Sequence, residues 1–339
     1  MHIAQPVGFA FAPANIALCK YWGKRDTVLN LPSAGSLSIS LGPLGAHTRV
    51  SLQEHPYRQD DKHAHNRQDQ KHPCNRQDQI FLNGTLLAAE HHFSKRVSTF
   101  LDLFRLNVAQ GFCVETHSNI PIAAGLASSA CGFAALTLAL DQLFDWQLSR
   151  SALSGLARLG SGSACRSLWQ GFVEWHKGSQ ADGSDSIATP LSVHWPELRV
   201  GLLILNPAEK ALSSRAAMQQ TVATSGFYGS WILEQEKALI DLKHAVQAQD
   251  FEALGSLAEA NALALHALML TAKPAILYSN AQTIESMHQI WSYRKAGLAL
   301  YFTQDAGPNL KLLFLAADEA QVRALFPALQ IVSPFETPL

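Results

Sequence analysis

Charge is scarce in this chain. Asp, Glu, Lys and Arg make up 16% of its 339 residues, against about a quarter in an average soluble domain. The formal net charge is −1, so there is no electrostatic footprint for nucleic acid or for an anionic membrane surface. No uninterrupted apolar run reaches the roughly 18–20 residues of a membrane span. The first six residues, Met1 to Pro6, lack the basic and long apolar regions of a signal peptide. The five cysteines are odd in number and have no paired short spacing, which argues against a disulfide framework and for reduced thiols. A cytoplasmic protein is expected. The hydrophobic fraction of 47% excludes disorder of the whole chain. So little charge on so large a core fits a big compact fold or an apolar oligomer interface; a homodimer is expected.

Apolar residues are also missing locally. Residues 55–79 contain no Val, Ile, Leu, Met, Phe or Trp, and Arg-Gln-Asp recurs at 58–60, 67–69 and 76–78. This polar stretch reads as a solvated insertion between two strands. Its His55, His63, His65, His72 and Cys74 match no standard zinc spacing.

Elsewhere the patterning predicts strands at 7–11, 37–41, 48–52, 112–116, 172–175, 199–206, 298–303, 310–315 and 329–333. A hairpin is predicted at 80–87 from its Asn83-Gly84 turn. Helices are predicted at 92–106, 128–144, 213–223, 228–247, 250–270, 281–295 and 317–326, with one or two short ones in 149–168. Gly, Ser, Asp and Pro accumulate at 178–190. The expected organisation is an N-terminal half, 1–190, carrying the insertion, and a C-terminal half, 191–339. Strands and helices are interspersed without a regular βαβ beat, so the class is α+β in two layers.

Five segments can carry chemistry. Pro121 to Ala130 is a small-residue turn whose serines open a long helix; it is either a phosphate cradle or an ordinary serine cap. It is not a Walker A loop, because the G-x-x-x-x-G-K-[ST] pattern is absent. Lys20 to Asp26 gathers three cations and two aromatics, as a polyanion site or a basic surface turn. Gly160 to Ser167 alternates glycine and serine before Arg166, as an anion cradle or a flexible loop. Ser213-Ser214-Arg215 stands at a helix start. Asp305, at a strand end in a Gly-Pro turn, is a candidate base or an ordinary turn residue. Four anion-binding candidates and one acid favour an enzyme acting on phosphorylated small molecules.

The Pro-x-x-x-Gly-Leu-x-Ser-Ser-Ala loop resembles the phosphate-binding signature of the galactokinase, homoserine kinase, mevalonate kinase and phosphomevalonate kinase superfamily. Within it, Ala14 to Asp26, Gly160 to Arg166, Gly171 to Trp175, Asp185 to Ala188 and Asp305 to Asn309 resemble the mevalonate diphosphate decarboxylase family. Asn261 to Leu263, His266 and Tyr278 extend the likeness, which covers about residues 7–316 outside the insertion.

The resemblance implies a two-layer α+β fold of that superfamily with the active site in a deep cleft between the halves, and ATP-dependent phosphorylation of a tertiary hydroxyl, followed by loss of phosphate and CO2 to give isopentenyl diphosphate. It implies Asp305 as catalytic acid or base, Lys20 beside the transferred phosphoryl group, and Asn15 orienting that pair. Tyr21, Trp22, Lys24, Ser161, Ser163 and Arg215 match substrate-binding positions, and Arg166 matches the clamp on the carboxylate. Pro121, Ala124, Gly125, Leu126, Ala127, Ser128, Ser129, Ala130 and Ser214 match ATP contacts. Mg2+ is implied with ATP, and Ser129 is its candidate ligand. Three features depart from the family: Ser33-Ala34-Gly35-Ser36 replaces Thr-Asn-Ser-Ser, Ala217-Met218 replaces Gly-Met, and the insertion is extra. The altered loop is expected to face the substrate. Related enzymes decarboxylate the monophosphate, or phosphorylate the 3-hydroxyl only; a non-catalytic binding relative is the remaining alternative.

Overall fold

A computed structural model describes residues 6–53, 78–105, 110–120, 128–206 and 212–335. The long first strand, β1 (Val7–Cys19), leads to a two-stranded ribbon of β2 (Lys24–Asp26) and β3 (Leu31–Pro32). Antiparallel to β1 runs β4 (Ser36–Gln53). Beyond the insertion come β5 (Gln79–Leu82), β6 (Thr85–Leu86), α1 (His92–Leu101), β7 (Gly111–Ser118), α2 (Ser128–Phe144) and α3 (Arg150–Gly160). A 3-10 turn, Gly162–Leu168, precedes β8 (Phe172–Trp175) and β9 (Ala188–Pro190). These strands form one seven-stranded sheet in the order β6-β5-β7-β4-β8-β9, with β1 on the other edge of β4.

The rest of the chain builds a second sheet, ordered β11-β12-β10-β13, from β10 (Leu198–Leu203), β11 (Tyr301–Gln304), β12 (Leu310–Leu315) and β13 (Gln330–Val332). With it go α4 (Ser214–Thr224), α5 (Tyr228–Ala248), α6 (Phe251–Leu270), α7 (Ala281–Lys295) and α8 (Glu319–Leu325). The class is α+β, as the patterning indicates.

Several predicted elements change length, each for a physical reason. β1 runs on to Cys19 because Ala12 to Cys19 is buried at every position, so alternation gives no signal there. The strands predicted at 37–41 and 48–52 are one strand. Between them the pairing jumps from Asn15↔Ser40 to Pro13↔Gly45, and the extra residues of β4 form a bulge in which Gly42 has φ +54°. α1 ends at Leu101, not 106; Phe104 packs on Phe100 from the turn that follows, 5.0 Å between ring centroids. The Asn83-Gly84 turn has positive φ at both residues, 50° and 80°, as a type I′ hairpin requires.

α6 is apolar and long enough to cross a membrane by composition, yet 56% of its most apolar window is buried inside the fold. It packs in the core of the fold. One core joins both halves: Ile16, Leu37 and Ile39 of the first sheet share it with Val200 and Leu313 of the second and with Leu242 and Leu254 of α5 and α6. A second core packs α1, α2 and α3 on the first sheet.

Candidate active site

A cleft of about 620 Å3 opens between the halves. Among the described residues lining it, five are Lys or Arg and one, Asp305, is acidic.

Lys20 follows β1 directly and is only 2% exposed. Its backbone N–H donates to Asn261 Oδ1 of α6 (2.8 Å), which fixes the chain where it leaves the sheet. Its ammonium donates to the Ala17 carbonyl (2.8 Å) and to Asp305 Oδ1 (2.9 Å). Asp305 follows β11, and its Oδ2 lies 3.3 Å from the ammonium of Lys311. The ring of His266 meets the Asp305 carbonyl at 3.1 Å. Burial pushes the Asp305 carboxyl up, but the ammonium groups of Lys20 and Lys311 outweigh it and hold it well below the usual carboxylate range. Burial draws the Lys20 ammonium down, against the pull of Asp305. His266 is pushed down to about 4, chiefly by burial, and is neutral at pH 7.

Asn15 does not orient this pair. Its amide donates to Ser167 Oγ (2.7 Å) and the Ser163 carbonyl (3.4 Å), and its oxygen accepts from Arg166 (3.5 Å). The bulge beside Asn15 turns it toward the 3-10 turn, so it braces Arg166. Arg166 is buried; one terminal nitrogen donates to Ser36 Oγ (2.5 Å), while its Nε has no hydrogen-bond partner among the described residues. The flexible loop allowed by the Gly-Ser pattern is in fact this ordered turn. The basic surface turn fails likewise: Lys20 and Trp22 are buried, and Tyr21 sits edge-on to Trp175. The hydroxyl of Tyr21 and Nε1 of Trp22 are buried without hydrogen-bond partners among the described residues.

Farther along the cleft, three cations converge. Lys24 donates to Asn30. Burial, then the neighbouring Arg215 and Arg96, bring its ammonium down to about 8. Arg215 lies in the first turn of α4, after the Ser213 N-cap, with Ser214 also lining the cleft. Arg96 of α1 donates to the Gly160 carbonyl (3.2 Å) and lies over Phe133. Ser129 and Ser161 line the same region, their hydroxyls 3.5 Å apart. Ser163 lines the cleft as well.

Pro121, Ala124, Gly125, Leu126 and Ala127 lie outside the described residues, as does the side chain of Ser128. Ala130 is buried in α2 and is not among the lining residues. None of Ser33, Ala34, Gly35 and Ser36 is among the described residues lining the cleft. Ala34 is buried, and a side chain at Gly35 would meet Leu239 of α5, so neither lines the cleft. Ser36 is retained under Arg166.

Two cations escape the sequence reading. Lys311 is a lone charge in the apolar run Leu310 to Phe314, a signal that was there to be read. Arg96 gives none, since a charge on a surface helix is ordinary.

Residues 12–188 match the model for the diphosphomevalonate decarboxylase-like N-terminal domain, and 200–336 match the mevalonate 5-diphosphate decarboxylase C-terminal domain. The chain belongs to the mevalonate diphosphate decarboxylase family. The Saccharomyces cerevisiae diphosphomevalonate decarboxylase is 35% identical, over 92% of this chain and 79% of that protein. The crystal structure of the Staphylococcus aureus family member is 34% identical, with a TM-score of 0.86 over 98% of this chain and 96% of the other. Another family member, MDDEF, solved with MVAPP, AMPPCP and magnesium, is 36% identical with a TM-score of 0.84 over 97% of each chain.

Among the described residues no group of three His, Cys, Asp or Glu could hold a metal ion. That suits Mg2+, which keeps few protein ligands beside substrate phosphates. Asp305 is already engaged by two ammonium groups, and the described serines lining the cleft are Ser129, Ser161, Ser163, Ser213 and Ser214.

Proposed function

We propose that this chain catalyses the ATP-dependent decarboxylation of mevalonate 5-diphosphate to isopentenyl diphosphate, with the residues above in the roles that follow. The observation that carries this reading is Asp305, held between two buried lysines and, among the described residues lining the cleft, the one carboxylate beside five Lys and Arg side chains.

Such a charge balance suits a substrate bearing a carboxylate and a diphosphate, met by the phosphates of ATP. Lys24, Arg96 and Arg215 would hold the diphosphate. Arg166, fixed by Asn15 and Ser36 and with an Nε that has no hydrogen-bond partner among the described residues, would hold the carboxylate in a defined plane. Ser129 and Ser214, in the first turns of α2 and α4, would meet ATP phosphate at the positive ends of the two helix dipoles. Mg2+, when bound, offsets charge on the nucleotide oxygens, and Ser129 would hold it.

A tertiary hydroxyl is a poor leaving group. Ionised Asp305 accepts its hydrogen bond and directs the oxygen at the γ-phosphorus, while Lys20 offsets charge on the transferred group. Because the lysines hold Asp305 low, it orients and polarises the hydroxyl, and the proton ends on the released phosphate. Departure of phosphate leaves positive character at C3, and the electron pair of the breaking C–CO2 bond forms the alkene. A cytoplasmic homodimer completes the reading. Reduced thiols at Cys19, Cys113, Cys131 and Cys165 support the location, and exposed Phe227, Leu233 and Ile240 near and along α5 support an apolar interface.

The test is release of labelled CO2 with ATP and Mg2+, using mevalonate 5-diphosphate and the 5-monophosphate in parallel. The expected result is CO2 from the diphosphate at the higher kcat/KM. ADP without CO2 would make the protein a 3-kinase, and preference for the monophosphate would move the substrate.

A further inference from the structure

Lys311 is an odd residue for its place. It lies on β12, an interior strand of the second sheet, among fully buried Leu310, Leu312, Leu313 and Phe314. Its side chain is 2% exposed and is not among the residues lining the cleft. A charge in such a position is costly unless paired, and an apolar side chain of similar length would fill the same space. Among the described residues its ion-pair partner is Asp305.

Asp305 does not need a second cation for charge balance. Lys20 alone would neutralise it, so Lys311 leaves the buried group with one positive charge in excess. The two ammonium groups take different oxygens, Lys20 on Oδ1 and Lys311 on Oδ2. A carboxylate held by one oxygen can turn about Cβ–Cγ; held by both, it is fixed in plane. The backbone of Asp305 is fixed separately, through His266.

We infer that Lys311 is a positioning residue for the decarboxylation: acting through Asp305, it fixes the plane of the carboxylate without itself touching substrate. This rests on the decarboxylase reading. The arrangement is wasteful for stability and useful for reaction, because the excess charge is matched once anionic substrate arrives.

The test is a double-mutant cycle on CO2 release, with Lys311→Met, Asp305→Asn and the pair combined. Lys311→Met is expected to lower kcat about 10- to 100-fold, the scale of a slightly misplaced reacting group. KM for both substrates stays within about twofold, since Lys311 contacts neither. In the Asp305→Asn background the same change costs less than about twofold, because the group it acts through is already lost. Lys311→Arg, which keeps the charge, recovers part of kcat. Equal losses in both backgrounds, a rise in KM matching the fall in kcat, or full activity of Lys311→Met overturns the proposal. If Lys311→Met does not fold, Lys311→Gln takes its place in the cycle. Wild-type protein that turns over while the cycle is additive overturns this proposal alone; wild-type protein that releases no CO2 overturns the decarboxylase reading and the proposal with it.

Discussion

Lys24 is the cation whose charge the cleft puts most in play. Its ammonium is brought down from the ordinary lysine value to about 8 by burial and by Arg215 and Arg96. Below that pH it is charged and ready for an anion. Above it, binding a diphosphate must first take up a proton. The dissociation constant of mevalonate 5-diphosphate, measured by calorimetry without ATP, is therefore expected to rise above pH 8 by up to about tenfold per unit. Lys24→Arg should remove most of that slope; an equal slope in the variant would assign it to another group. Arg166 differs, because its value lies in shape. Arg166→Lys keeps the charge but loses the planar fork braced by Ser36 and Asn15. It should raise KM and also lower kcat, by about 10- to 100-fold, because the carboxylate that must leave is misplaced. A change in KM alone would show that Arg166 only captures substrate.

At the scale of elements, the insertion is the clearest case for a cut. β4 ends and β5 begins on opposite sides of β7, with Gln53 opposite Gly111 and Gln79 opposite Cys113. Two strand spacings are about 10 Å, which six residues span easily. The expected polar insertion of 55–79 is too long by its last residues. The Asp78 side chain is only 4% exposed, pairs with Arg105 at 2.5 Å and accepts the Phe112 N–H; Gln79 opens β5. Residues 55–77 lie outside the described residues. Replacing 55–76 by six Gly and Ser residues, with Asp78 kept, should leave kcat/KM within about twofold, since long surface loops cost little to change. A large loss of turnover would show that the segment serves the cleft.

The same elements show what could be read in advance. α2 begins and ends where the Ser pair and the apolar run place it, and the 80–87 hairpin follows from two residues. Local chemistry sufficed there. It failed where burial on both faces erased alternation in β1, and where a bulge joined two strands into β4. Lys20, Arg166 and Asp305 were legible as candidates, because Lys20 stood in a cluster of cations and aromatics and the other two charges stood in small-residue surroundings. Their partners were not. Asn15 bracing Arg166, Arg96 reaching the cleft from α1, and Lys311 backing Asp305 all depend on contacts between segments far apart in the chain.

At the scale of the whole molecule, the residues of the site come from both halves of the chain. Lys20 and Arg166 come from the first half, Asp305 and Lys311 from the second, and the Lys20–Asp305 pair spans the junction. The shared core beneath, with Ile16 and Leu37 against Val200 and Leu313, holds the two sides in register. We propose the boundary between the halves near residue 190, in the connection from β9 to β10. The account's central claim is that this joint cleft phosphorylates the 3-hydroxyl and then expels it as phosphate with loss of CO2. The direct test uses mevalonate 5-diphosphate labelled with 18O in the 3-hydroxyl, turned over with ATP and Mg2+. The account predicts the label in inorganic phosphate, one atom for each CO2 released. Label recovered in water, with unlabelled phosphate, would contradict it.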